Sequence, residues 1–256
     1  MTIHIVRAVS RFTGALPVVA LCALASGSVA AAERARADLG AEAVGQTILF
    51  AEQPAILIVI DGEPVYRPLK GTDLQRITNT KPFIVRDSAG IHYLKLLDGW
   101  MEAYGLHGIW SVAGAPPPRA ERALRRIAAA RTVDLLDRAV WRKPGSRPRL
   151  EHATAPAVFV STTPAELIVM DGPPRYATVD GSSLQYVENT TATVFKEPTD
   201  DELYVLISGR WFRAWRTDGP WEFVTRTELP ADIAAIPDNS PVWRRPSRTG
   251  AVESKR

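Results

Sequence analysis

Cysteine is nearly absent from this chain: its 256 residues include one, Cys22, close to the amino terminus. Beyond that segment there is no thiol, which excludes both a disulfide framework and a cysteine metal site. Histidine is scarce as well. His92, His107 and His152 share no ligand spacing with one another or with a carboxylate, so the common Cys/His and His-Glu-x-x-His patterns are missing. The Gly-x-Ser-x-Gly elbow, the phosphate loop and the dinucleotide fingerprint are missing too. Asp61 and Asp171 read as turn residues and Asp200-Asp201-Glu202 as a solvated loop, which leaves no acid pair for glycoside hydrolysis. The expectation is a non-enzymatic protein with no metal and no cofactor.

Long apolar runs are also lacking. The longest, residues 15–25, is shorter than the roughly 20 residues a spanning helix requires. Arg7 and Arg11 precede it and Ser28-Val29-Ala30-Ala31-Ala32 follows, so residues 1–32 read as a secretory signal peptide. Leu21, a bulky residue directly before Cys22, argues against lipoprotein processing. The expected location is periplasmic or secreted, with no transmembrane anchor after cleavage. Nucleic acid is disfavoured as a partner on that route.

Positive charge is unevenly spread. Residues 119–149 hold ten Lys/Arg against three acids and residues 244–256 hold five against one, although the whole chain carries only +3. The rest of the mature chain is therefore acidic, which suggests attraction between acidic bodies and a basic connector, with a basic strip for an anionic partner as the alternative.

What the chain does contain is a repeat. Residues 54–66 and 164–176 agree at nine of thirteen positions, including Asp61-Gly62 with Asp171-Gly172. Gly71, Leu74, Asn79 and Thr80 recur as Gly181, Leu184, Asn189 and Thr190. After a one-residue insertion, Tyr93, Trp100, Ala103, Gly108 and Trp110 recur as Tyr204, Trp211, Ala214, Gly219 and Trp221. Each copy opens with an apolar run, Ile48-Leu49-Phe50 or Val158-Phe159-Val160, then Pro and a second run ending at Asp-Gly. That arrangement predicts a first hairpin. Asn79-Thr80 and Asn189-Thr190 predict a polar turn between a second pair of strands. Leu203-Tyr204-Val205-Leu206-Ile207, Ser208-Gly209-Arg210 and Trp211-Phe212-Arg213-Ala214-Trp215 predict a third hairpin, with aromatics on both faces of its returning strand. Asn189-Thr190-Thr191 also matches the glycosylation pattern, but Asn79-Thr80-Lys81 does not, and a turn is the simpler reading.

Between the copies, Ala120, Leu124, Ile127, Ala128 and Leu135 stand at helical spacing after Pro116-Pro117-Pro118, with arginines mostly off that stripe. They predict a basic amphipathic helix. Ala231 to Ile236 predicts one short helical turn ended by Pro237. The fold class is mainly β: two homologous β-hairpin-rich units in tandem, at residues 46–115 and 156–237, joined by a basic helical linker at 119–149. A basic tail without apolar pattern fills 244–256.

The candidate binding residues are aromatic. Trp211, Trp215 and Trp221 cluster with Tyr204 around Gly209 and Gly219, beside Arg213 and Glu222. An indole face can cover the apolar face of a sugar ring while polar neighbours take its hydroxyls. The competing reading assigns these tryptophans to the core, foremost the repeated pairs Trp100/Trp211 and Trp110/Trp221. Trp215 faces Tyr104 in the alignment, which makes it the more plausible exposed platform.

The stretch from Ser208 through Trp211-Phe212-Arg213-Ala214-Trp215 to Gly219-Pro220-Trp221-Glu222 resembles the core of the family 5/12 carbohydrate-binding modules, small β modules of chitinases and related enzymes. The resemblance covers about twenty residues and implies that Trp215, with Trp211, faces a sugar. The whole chain, with its two Asp-Gly-x-Pro units and Gly-Pro-Trp, is similar to uncharacterised proteobacterial exported proteins that carry the same carbohydrate-binding label. A polysaccharide or peptidoglycan is the implied partner. The alternative is a structural or protein-interaction module of the cell envelope, meeting an envelope protein, with every tryptophan in the core.

Overall fold

The computed structural model describes residues 47–115, 118–128, 133–136, 149–237, 240 and 242–243. The expected leader, part of the linker and the tail at 244–256 lie outside the described residues.

The architecture is mainly β, with two six-stranded antiparallel sheets. The first sheet is a meander of β3 (Tyr66–Pro68), β4 (Gln75–Ile77), β5 (Ile84–Arg86), β6 (His92–Leu96), β7 (Gly99–Ala103) and β8 (Ser111–Val112). The second repeats that order with β11 (Tyr176–Thr178), β12 (Gln185–Val187), β13 (Thr193–Lys196), β14 (Leu203–Ile207), β15 (Arg210–Ala214) and β16 (Glu222–Val224). Tyr66, Tyr93, Trp100 and Ala103 of the first sheet stand on strands that match those of Tyr176, Tyr204, Trp211 and Ala214 in the second. The predicted hairpin at Ser208-Gly209 is the β14–β15 connection, with Leu206 opposite Trp211 and Tyr204 opposite Arg213.

The predicted first hairpin does not form. β1 (Thr47–Ala51) does not ladder with β2 (Ala55–Val59); it runs parallel to β10 (Ala165–Val169), with Thr47 beside Ala165. β2 runs parallel to β9 (Ala157–Ser161), with Ala55 beside Ala157. The two ladders are counterparts under the repeat, so the opening strands of the two halves are exchanged reciprocally. Composition explains it. Ala55 to Ile60 is apolar at every position and almost entirely buried, the pattern of a parallel strand covered on both faces rather than a hairpin arm with one wet side.

The Asp-Gly steps are turns of another kind. Gly62 and Gly172 hold positive φ, at 73° and 84°, where a side chain would be strained. An asparagine from the next loop then clasps the turn. Asn79 Nδ2 donates to the carbonyls of Asp61 and Glu63, both at 2.8 Å, and Oδ1 accepts from Val65 N at 2.9 Å. Asn189 repeats this with the carbonyls of Asp171 (3.0 Å) and Pro173 (2.8 Å) and with Arg175 N (2.8 Å). Thr80 and Thr190 donate to Val59 O and Val169 O, each at 2.8 Å. The Asn-Thr pair therefore fastens the strand end to the sheet, and Asn189 is buried with its amide fully engaged.

Each sheet is apolar on both faces. The inner face of the first, including Ile84, Leu94 and Met101, packs on Ile56 and Ile58 of β2 and on Val158 and Val160 of β9. The inner face of the second, including Val194, Val205 and Phe212, packs on Ile168 of β10 and on Ile48 and Phe50 of β1. Through the exchange each half completes the core of the other.

Helices close the outer faces. α1 (Pro118–Ala128) lays Ala120 and Leu124 on Leu74, Phe83, Tyr93 and Trp100, while Arg122, Arg125 and Arg126 stay exposed, the division its 3.6-residue stripe requires. Glu121 of this helix accepts a hydrogen bond from Trp100 Nε1 at 2.5 Å. On the second sheet α2 (Ala231–Ala235) brings Ile233, and just past it Ile236, onto Leu184, Phe195, Tyr204 and Trp211, with Trp243 at the edge.

Candidate functional site

The five candidate residues fall in three environments. Trp211 and Tyr204, expected beside a ligand, are core residues. Trp211 is enclosed beneath Ile233 and Ile236, its ring centroid 6.1 Å from those of both Phe195 and Trp243. The reason is position: alternation along β15 points Trp211 to the face that α2 covers. Tyr204 points to the same face from β14 and is 4% exposed. Its hydroxyl donates to Glu202 Oε2. Burial, reinforced by that carboxylate, pushes the phenol well above its usual range.

Arg213 sits between two acids. The ladder places it opposite Tyr204 on one side and Glu222 on the other. Its guanidinium lies 3.4 Å from Glu222 and 3.7 Å from buried Glu202. Nε, buried and beyond hydrogen-bond distance from Glu202, has no hydrogen-bond partner among the described residues. Burial works against the charge of Arg213, but the two carboxylates outweigh it and raise its pKa. Tyr204, Glu202, Arg213 and Glu222 thus form one continuous polar row in which the charges are paired while Arg213 Nε stays without a hydrogen bond.

Trp215 is different. It follows β15, beyond the cover of α2, and is 65% exposed. Next to it Arg216 and Asp218 form a two-pronged pair, both bonds 2.8 Å, in which Arg216 holds the Asp218 carboxyl below its usual range. Trp221 anchors the other end of the loop. Its ring stacks on Phe50 of β1 at 5.6 Å and 15°, and Nε1 donates to Thr217 O at 3.4 Å.

The matching loop of the first sheet is built alike. Trp110 Nε1 donates to Leu106 O at 3.2 Å, and Tyr104, at the position of Trp215, is 91% exposed. Ile109, five residues further along this loop, is 94% exposed. The sequence reading overlooked Ile109, a lone apolar residue whose exposure nothing in the local pattern announces. It also overlooked a cleft of about 580 Å³ behind this loop, between β8 and β9.

Among the described residues no group of three or more His, Cys, Asp or Glu could hold a metal, and no helix is long and apolar enough to cross a membrane. No protein-family model, curated protein or solved structure matches the chain.

Proposed function

We propose that this chain is an exported, non-enzymatic binding protein, made of two homologous β units joined by a basic helix, that takes an envelope or extracellular glycan on exposed aromatic side chains. One observation carries the reading: Trp215 and Tyr104 occupy the same repeat position and are both turned to solvent, whereas the tryptophans of β7 and β15 are enclosed. A single exposed apolar side chain is common on protein surfaces, so the weight falls on the recurrence: an aromatic ring is displayed at the same repeat position in both halves. The Arg216–Asp218 pair beside Trp215 offers donors and acceptors for sugar hydroxyls at the edge of the stacking face. A single stacked aromatic supplies only a few kcal/mol, which corresponds to a micromolar-to-millimolar Kd. Two loops acting on one polymer raise that by avidity.

The test is a pull-down on peptidoglycan, chitin and cellulose. The wild type is expected to be retained on at least one, Trp215→Ala to be lost, and Tyr104→Ala to be weakened, with unchanged circular dichroism in both variants. Retention on none of the three overturns the glycan reading. A second reading, contact with an envelope protein, is favoured by the exposure of both Tyr104 and Ile109 on the first loop.

A further inference from the structure

The repeat makes each half a reference for the other. In the second half the space between β1 and the β16 edge is occupied by the chain's own rings: Phe50 stacks on Trp221, and Phe212 meets Phe223 edge-on at 6.1 Å. At the matching places the first half carries Val160, Trp110, Met101 and Val112. The tryptophan stays, with the same hydrogen bond to the loop carbonyl. Three phenylalanines have become two valines and a methionine. Leu106, standing where the second half has Thr217, replaces only part of that volume.

Protein interiors do not keep voids of that size, so the lost rings must be made up by collapse or by opening to solvent. Here the structure opens. Met101, Trp110, Val112 and Val160 all border the cleft of about 580 Å³, a volume within the range of small-molecule sites. His107 lies at its border too, with Nδ1 3.3 Å from Val160 O. A carbonyl only accepts, so in that contact Nδ1 carries the proton and Nε2 of the neutral ring is left as an acceptor.

We infer that this cleft binds a small phenolic molecule. The aromatic ring takes the space that the second half fills with phenylalanine, and the hydroxyl donates to His107 Nε2. The site is separate from Trp215 and does not depend on glycan binding.

The probes are p-cresol and toluene, titrated against the purified full chain by ligand-observed NMR. Saturable p-cresol binding is expected, with toluene at least tenfold weaker. Val160→Phe and Val112→Phe each restore a ring the other half already accommodates; either is expected to abolish binding while the thermal melt stays cooperative. His107→Ala, at an exposed residue, is expected to erase the preference for p-cresol, and Trp215→Ala to change nothing. Absence of saturable p-cresol binding at millimolar concentration overturns the proposal. So does a folded Val160→Phe or Val112→Phe that binds as the wild type does, or an undiminished p-cresol preference in His107→Ala.

Discussion

The first sheet buries His92 and hands its Nε2 to the Tyr66 hydroxyl at 2.8 Å, whereas the second sheet buries Leu203 at the same place. Around that difference much is kept. Arg86 lies over the Tyr66 ring at 3.8 Å, and Lys196 over the matching Tyr176 at 5.3 Å. The paired indoles are covered in two ways, Trp100 by a helix whose Glu121 takes its N–H, Trp211 by Ile233, Ile236 and Trp243. The strand order is thus indifferent to what fills several buried positions, provided that volume closes locally. Chemistry has been laid onto a frame that the exchanged strands hold in register.

The most severe break falls on the covered indoles. Trp211→Ala is expected to cost about 3–5 kcal/mol, the range for deleting a large buried aromatic, and the same substitution at Trp100 a similar amount plus the stranding of Glu121. Urea melts of both variants measure this. A cost below about 1 kcal/mol at Trp211 would return it to the list of ligand-facing residues.

The exchange supplies a sharper test. Ile48 belongs to the first half by sequence but packs in the core of the second sheet. Ile48→Ala is expected to cost about 2–4 kcal/mol and to raise amide exchange in β13–β15 before β5–β7. Val158→Ala, on β9 against the first core, should reverse that order at lower cost, since Val158 is only partly buried. Exchange rising first in the mutated residue's own sequence half, in either variant, would mean that the opening strands pair locally.

A smaller effect separates the halves by pH. Burial, with Arg86 nearby, holds the His92 pKa below its ordinary 6.5, against the opposing pull of Asp87 and the Gly90 backbone. The unfolded chain then binds more protons than the folded one, so this stabilising contribution is full above about 6.5 and declines as pH falls through and below that value. His92→Leu, copying Leu203, is expected to lose stability at neutral pH because the Tyr66 hydroxyl loses its partner, yet to flatten the acid slope. Chemical denaturation from pH 7.5 to 5 in both proteins checks the sign. An unchanged slope would place the titration elsewhere.

The third hairpin was legible because its signal is local: Ser208-Gly209 between two apolar runs leaves few alternatives to β14–β15. The α1 stripe was legible only as far as Ala128, since Leu135, expected on the same stripe, lies outside the helix; the short turn at Ala231 was legible in its local pattern. The exchanged strands were not. Their partners lie more than a hundred residues away and no turn chemistry marks them. The one available signal was the unbroken apolar run from Ala55 to Ile60, and the Asp-Gly step beside it pulled the reading toward a hairpin. Strand parity, equal at Trp211 and Trp215, does not separate them; only the repeat does, since Trp211 has a tryptophan counterpart in Trp100 and Trp215 faces Tyr104. The cover from α2 reaches the first and stops short of the second, a tertiary fact without a local trace.

That last pair gives the finest test of the comparison. Trp215 and Tyr104 contribute little to either core, so Trp215→Ala and Tyr104→Ala are each expected to shift stability by less than about 0.5 kcal/mol, as for surface positions without buried partners. Trp215→Ala should also reduce the component of fluorescence that acrylamide quenches most readily, since among the described tryptophans this ring is the one open to water, Trp221 and Trp243 being half-buried and Trp100, Trp110 and Trp211 enclosed. A loss of 2 kcal/mol or more in Trp215→Ala, on the scale of a buried-side-chain truncation, would put this indole in a core. The symmetry between the two loops would then rest on packing rather than on display, and the case for a binding face on the second loop would fall with it.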